Sequence, residues 1–108
     1  MKEDKLYLIH ISECIERIEN YVKGMDKEEF MNSTLVQDAA IRNLQILAES
    51  AQRLSEQMKQ AHPEIEWHKI SGFRNILVHD YLGIDVETVW NIVVREIPVL
   101  KKAISAMM

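Results

Sequence analysis

Residues 74 to 81, RNILVHDY, gather side chains that could do chemistry in an otherwise ordinary helical sequence. Arg74 supplies a permanent positive charge whose forked N–H donors suit a phosphate or its transition state. His79 can donate a proton, and both a helix C-terminus and the neighbouring Asp80 favour its protonated form. Together these groups could stabilise charge on a phosphorus centre and protonate a leaving oxygen without a metal.

The spacing of this motif limits how its groups can act on one ligand. Arg74 and His79 are five positions apart, so a regular helix separates them by about 140°. They converge only if the helix end unwinds near Gly83, or if a second copy of the chain brings its own pair across an interface. The alternative is structural: Arg74 pairs with Asp80 or with a carboxylate of the preceding long helix, and His79 caps a carbonyl.

The other residues that could react or bind a metal show no pattern of a site. His10, His62 and His68 lack the spacing of metal ligands, and the sequence predicts no metal and no cofactor. Cys14 is the single cysteine, and its place in a helical pattern favours a small core or interface residue. Trp67, just upstream of the motif, is more typical of packing than of base stacking.

Four amphipathic segments must position these groups. The first helix is predicted to end at Gly24, and its apolar stripe consists of Leu8, Ile11, Ile15, Ile18 and Val22. Asp26 and Glu29 have capping-box spacing, which predicts a short helical turn. Thr34 and Gln37 repeat that spacing at the start of a long second helix.

The second long helix is predicted to run to about residue 60, before the break at Pro63. Its stripe consists of Ala40, Leu44, Leu47, Ala51, Leu54 and Met58. The third helix runs from about residue 67 to residue 81 and carries the motif. Asp85 caps the fourth helix, which Pro98 should kink. The stripe of this last helix consists of Val86, Trp90, Val93, Ile97, Leu100, Ile104 and Met107.

Composition agrees with a single helical domain over residues 1 to 108. The chain is 47% apolar and has three glycines and two prolines, which favours helices joined by short turns around one core. The predicted fold is therefore all-α: an up-and-down four-helix bundle, with room for a short fifth helix.

Charge and hydropathy narrow the classes of partner. The net charge of −4 argues against non-specific coating of nucleic acid, although it leaves a locally basic cleft open. No stretch reaches the roughly 18 apolar residues of a membrane span, and the N-terminus lacks the apolar core of a signal peptide. We therefore expect a soluble, cytoplasmic protein with no membrane partner.

The third helix is apolar on more than one side. Ile70, Phe73 and Leu77 share one face, whereas Ile76 and Val78 point in other directions. In so small a bundle, the second cover for such a helix is most simply another copy of the chain. The sequence therefore predicts a homodimer with this helix at or near its interface.

The stretch R74-N-I-L-V-H79-D-Y81 resembles the R-x4-H-x-Y motif of HepT-like toxins, which belong to the HEPN superfamily of all-helical ribonucleases. The likeness extends over IRNLQILAESAQRLS, residues 41 to 55, and PEIEWHKISGFRNILVHDYLGIDVETVW, residues 63 to 90. This resemblance implies a HEPN-like bundle of four or five helices that dimerises, so that two motifs line a shared cleft.

The resemblance also implies metal-independent endoribonuclease activity, in which an RNA 2′-hydroxyl attacks its neighbouring phosphate. Arg74 and His79 would be the catalytic residues, with Asn75 and Asp80 as supporting residues. HepT-like proteins are typically toxins paired with a small nucleotidyltransferase antitoxin of the MNT type, which can transfer AMP to the motif tyrosine, here Tyr81. Such an adduct would place a negative phosphate and a bulky adenosine in the cleft.

Two other functions are open from the sequence. The chain could be a non-catalytic HEPN binding module that docks a nucleotidyltransferase or presents its substrate. It could also be a plain dimerisation bundle whose polar motif caps helices and holds the interface together. The intact R-x4-H-x-Y motif favours the enzyme, because a scaffold has no physical need for these groups.

Overall fold

The computed structural model describes residues 2–78 and 85–108, with side chains described for 3–74 and 85–108. In these ranges the elements are α1 (Lys2–Val22), α2 (Lys27–Met31), α3 (Thr34–Gln52), α4 (Glu56–Ala61), α5 (Trp67–Val78), α6 (Val86–Asn91), a π-helical turn (Ile92–Glu96) and α7 (Ile97–Met107). The predicted all-α fold is confirmed over the described residues. No helix among them has both the length and the hydropathy needed to cross a membrane.

The core is built from the apolar stripes that the sequence predicts. Helix α1 packs against α3 and α7, and α3 packs in turn against α5. The largest side chains that are completely buried include Ile11, Ile18, Leu44, Leu47, Ile97 and Ile104. Cys14 is 1% exposed, so of the two places predicted for it, core or interface, the structure shows the core. The order of the bundle and its dimerisation stay predictions.

The end of α1 and the start of α2 follow local sequence signals. Gly24 has a φ of +77°, a left-handed conformation that glycine adopts without the steric cost of a side chain. The predicted capping box is confirmed: the Asp26 carboxylate accepts the Glu29 N–H at 2.8 Å, and the Glu29 carboxylate accepts the Asp26 N–H at 3.1 Å. The next cap is Ser33 rather than the predicted Thr34, because the Ser33 hydroxyl accepts an N–H of the first turn of α3.

The prediction of one helix running to about residue 60 is wrong. Helix α3 ends at Gln52, and Ser55 takes an extended conformation (φ −65°, ψ 152°) as the N-cap of α4. Asp4 of α1 lies against this break and is 3% exposed. Its carboxylate accepts the Ser55 N–H at 2.8 Å and the Ser55 hydroxyl at 2.7 Å. The break between α3 and α4 is therefore stabilised from α1, 51 residues away in sequence.

Replacing Asp4 with alanine should lower the free energy of unfolding at pH 7 by about 1–3 kcal/mol, because both Ser55 donors lose a charged acceptor. The hydroxyl and the N–H of Ser55 hold the pKa of Asp4 below its ordinary value. Since the folded state has the lower pKa, this stabilisation is present above about pH 4 and is lost as pH falls through the folded pKa. Urea unfolding across this range measures the effect.

The matched control for this prediction is Glu3→Ala, which removes an exposed carboxylate from the same turn of α1. We expect Glu3→Ala to change the free energy of unfolding by less than about 0.5 kcal/mol. A gap between wild type and Asp4→Ala that stays constant as the pH falls would show that the carboxylate charge is not the stabilising group.

Helices α6 and α7 form one continuous rod through the π-helical turn. Asp85 caps α6 as predicted, since its carboxylate accepts two N–H groups of the first turn. The backbone stays right-handed helical at Ile92 (φ −60°, ψ −47°) and at Ile97 (φ −62°, ψ −44°). The Ile97 N–H donates to the Ile92 carbonyl, five residues back. The altered hydrogen bonding lies in the turn immediately before Pro98. The kink expected at Pro98 stays a prediction.

Candidate functional site

Helix α5 carries the motif, and its start is fixed by Trp67. The Trp67 indole N–H donates to the carbonyls of Lys59 and His62 at 3.2 Å and 3.1 Å. The ring is partly buried and packs against the core, in agreement with the packing role predicted for it. The start of α5 is thereby tied to the end of α4.

Arg74 lies on the exposed side of α5. Its neighbours on the helix, Ile70 and Phe73, are buried as predicted, and α5 packs mainly against α3. The guanidinium Nη1 donates to Oε1 of Gln52, the last residue of α3, at 3.1 Å. The backbone carbonyl of Gln52 accepts from Nζ of Lys59 at 3.3 Å. The C-terminal end of α3 therefore holds two cationic side chains, one through an amide side chain and one through a carbonyl.

Within the described part of the chain, the side-chain partner of Arg74 is a neutral group. Among the described residues no carboxylate forms an ion pair with Arg74, whereas Lys59 lies 3.8 Å from Glu56 and Arg53 lies 3.4 Å from Glu49. The structural alternative of a carboxylate partner on the preceding long helix is therefore not found, because the partner on that helix is a neutral amide. An amide partner adds no negative charge of its own, and the guanidinium has further N–H donors that suit a phosphate.

The side chains of the other predicted site residues lie outside the described part of the chain. His79, Asp80 and Tyr81 lie outside the described ranges, and of Asn75 only the backbone, within α5, is described. The convergence of Arg74 with His79, and the alternative pairing of Arg74 with Asp80, therefore stay predictions.

Two clefts open between α5 and the rod formed by α6, the π-helical turn and α7. One is lined by His68, Gly72, Thr88, Asn91 and Arg95, among others. The other has Ile65, Ile70, Val99 and Ala103 in its walls. An ion pair between Lys69 and Glu96, 2.8 Å long, belongs to both clefts. The side of α5 that faces the rod is therefore not filled by the chain's own described side chains.

No cluster of three His, Cys, Asp or Glu side chains in the described part of the chain could hold a metal ion. His62 instead lies beside one carboxylate, with 3.3 Å between its Nδ1 and Oε1 of Glu64. The candidate site is thus defined by Arg74 and the residues around it.

Gln52 and Lys59 are the site residues that the sequence did not single out. Gln52 belongs to the stretch of residues 41 to 55 that resembles the family's second long helix, so it lay within a recognisable segment. Neither residue has a distinctive spacing relative to Arg74, because 22 positions separate residues 52 and 74. The packing of α5 on α3 brings Arg74 to Gln52, and the hydrogen bond from Lys59 of α4 reaches the same residue.

The family model that matches this chain and the relatives that resemble it carry ribonuclease names. The family model for ribonuclease HepT-like proteins matches residues 11–107. A protein of Thermococcus cleftensis, whose name assigns it as a ribonuclease HepT, is 37% identical over 93% of this chain and 91% of its own length. A protein of Caldanaerobacter subterraneus subsp. tengcongensis, whose name carries an RNase assignment, is 32% identical over 96% of this chain and 93% of its own length.

A third relative is a longer protein. It comes from Methanocaldococcus jannaschii, its name joins gamma-glutamylcyclotransferase to an RNase assignment, and it is 36% identical over 99% of this chain. The chain spans 48% of that relative's length, so it corresponds to about one half of it. No solved structure matches the chain.

Proposed function

Because this chain belongs to the HepT-like ribonuclease family, we propose that it is a metal-independent endoribonuclease, the toxin of a type VII-like HEPN/MNT toxin-antitoxin system. The observation that carries the proposal is the state of Arg74. Its guanidinium is exposed on the motif helix, and the partner that the described residues provide is a neutral amide, which suits a guanidinium that binds RNA phosphate.

The proposed reaction is a transesterification within RNA. The 2′-hydroxyl loses its proton to water and attacks the adjacent phosphorus, which forms a 2′,3′-cyclic phosphate and breaks the bond to the 5′-oxygen. Arg74 stabilises the additional negative charge on the phosphorane, and His79 protonates the departing 5′-oxygen. Asn75 and Asp80 support these groups, and Asp80 favours the protonated form of His79.

We propose that two copies form the reaction cleft. A regular helix separates Arg74 from His79 by about 140°, so a second copy is the simplest way to bring both groups to one phosphate. The open clefts beside the first part of α5 support this proposal, because among the described residues they leave space between the motif helix and the rod.

The test of the proposed function is the cleavage of labelled RNA in excess chelator by protein whose intact mass shows no modification. Products that end in a 2′,3′-cyclic phosphate are expected. Cleavage that requires an added divalent cation would contradict metal independence. Failure to cut a broad panel of RNAs would favour the binding module, which docks or presents a substrate to a nucleotidyltransferase.

Incubation with an MNT-type nucleotidyltransferase and ATP should join AMP to the Tyr81 phenol oxygen with release of pyrophosphate. RNA cleavage should then fall by about tenfold or more, because the new phosphate competes with RNA for the same positive charge. Intact mass, peptide mapping and the cleavage rate measure the result. Tyr81→Phe is the control, which should remain active and unmodified. AMP transfer to Tyr7 or Tyr21 in place of Tyr81 would contradict the proposed neutralisation.

A further inference from the structure

We propose that Gln52 is a positioning residue for Arg74: its amide oxygen fixes the guanidinium so that the remaining N–H donors face the RNA phosphate. This inference rests on the proposed function, since it assigns Arg74 a partner for that reaction. It adds a residue of α3 to a site that the motif alone would confine to α5 and its end.

The geometry supports a fixed guanidinium. The hydrogen bond between Nη1 of Arg74 and Oε1 of Gln52 is 3.1 Å long and uses one of the five N–H donors of the guanidinium. Both residues follow a core residue, since Ala51 is 1% exposed and Phe73 is 3% exposed. The two backbone attachment points are therefore held by packing, and the hydrogen bond restricts the side chain between them.

A neutral acceptor is the appropriate partner for this purpose. A carboxylate at the same place would form a charge-assisted pair with Arg74 and would compete with RNA for its positive charge. An amide oxygen directs the guanidinium and adds no charge of its own. Because a small misplacement of a catalytic group can cost orders of magnitude in rate, such positioning should matter for catalysis.

The Gln52 side chain can be changed without altering the attachment of α4. Lys59 reaches the backbone carbonyl of Gln52, at 3.3 Å, and that carbonyl is present whatever the side chain. Gln52→Met keeps the length of the side chain and a high helix propensity, and removes the amide acceptor. Gln57→Met is the matched control, because Gln57 is an exposed glutamine on α4.

The first measurement is the order parameter of the Arg74 Nε–Hε group, determined by NMR relaxation on the full chain. Gln52→Met should lower this order parameter, whereas Gln57→Met should leave it unchanged. An order parameter that is the same in wild type and in Gln52→Met would overturn the inference, whether or not the protein cleaves RNA.

The second measurement is RNA cleavage at saturating and limiting substrate. Gln52→Met should lower kcat by about 10- to 100-fold with KM changed less than about twofold, because the lost geometry matters in the transition state. Gln52→Glu keeps an acceptor for Arg74, so the guanidinium should stay as ordered as in the wild type, but KM should rise. The slope of log affinity for RNA against log salt concentration should become shallower by about 0.7, because the new carboxylate neutralises one positive charge.

A double-mutant cycle separates positioning from a general structural effect. In the Arg74→Ala background, Gln52→Met should change the residual rate by less than about twofold, because nothing remains to be positioned. An equal loss of rate with and without Arg74 would overturn the inference. A wild type that cuts no RNA would overturn the proposed function instead, and the NMR measurement would still decide whether Gln52 positions Arg74.

Discussion

Arg74→Ala should reduce kcat/KM for RNA cleavage by about 10²- to 10³-fold, because the guanidinium supplies the fixed positive charge that stabilises the phosphorane. The loss should not reflect unfolding. Arg74 is exposed, and its described side-chain contact is one hydrogen bond to the exposed Gln52, so the free energy of unfolding should change by about 0.5 kcal/mol or less. Urea unfolding and initial cleavage rates on the same preparations separate the two effects.

Two further variants test whether the loss of activity comes from the guanidinium of Arg74. Arg74→Lys keeps the charge and loses the forked donors, so its rate should lie between those of wild type and Arg74→Ala. Arg17→Ala removes an exposed arginine from α1 and should leave cleavage unchanged. If Arg74→Ala cleaved RNA as fast as Arg17→Ala, the proposed site would be wrong.

His79→Ala should reduce cleavage by about 10²- to 10⁴-fold, the range that general acid catalysis contributes. Since the acid is active in its protonated form, the wild-type rate should fall as pH rises across the neutral range, and the residual rate of the variant should lack this fall. His79 lies outside the described residues, so this prediction rests on the motif and on family membership. Rate profiles from pH 5 to pH 9 in excess chelator provide the measurement.

The control for the histidine prediction is His10→Ala, which removes an imidazole from α1. It should retain cleavage and its pH dependence. A plain dimerisation bundle predicts the opposite result for His79→Ala: altered stability of the dimer with no cleavage activity to lose. Thermal unfolding and gel filtration of both variants distinguish these readings.

The helices and the core were predictable because their information is periodic and local. Steps of three and four between apolar residues identified Ile11, Ile18 and Leu44 as core positions, and each is fully buried. Asp26 and Asp85 were predictable caps for the same reason, since an N-cap side chain accepts N–H groups that lie only two or three residues further along the chain. The all-α class followed from these signals.

The break after Gln52 could not be predicted, because its cause is remote. Leu54 and Met58 continue the apolar stripe, and Glu56 and Gln57 between them favour a helix, so the pattern indicates an uninterrupted element even though Ser55 is a typical N-cap residue. Ser55 turns the chain because the buried Asp4 carboxylate accepts both of its donors. A hydrogen bond between residues 51 positions apart leaves no periodic trace.

In the candidate site, as in the fold, local features could be predicted from the sequence and contacts between remote residues could not. The motif around Arg74 was recognisable because its residues are neighbours in sequence, and the exposure of Arg74 follows from its position on α5. Its contact with Gln52 joins two exposed polar residues, and an amphipathic pattern shows only which helix face meets solvent, not which polar residues meet each other.

Because Cys14 is buried, the rate at which its thiol is alkylated measures how often the core opens. Burial also raises the pKa of the thiol, so the reactive thiolate is scarce while α1 stays packed. Alkylation must wait for α1 to separate from the core, and its rate therefore reports the free energy of that opening. The same shielding prevents native copies from becoming linked through a disulfide, so a dimer found by gel filtration would be held by non-covalent contacts.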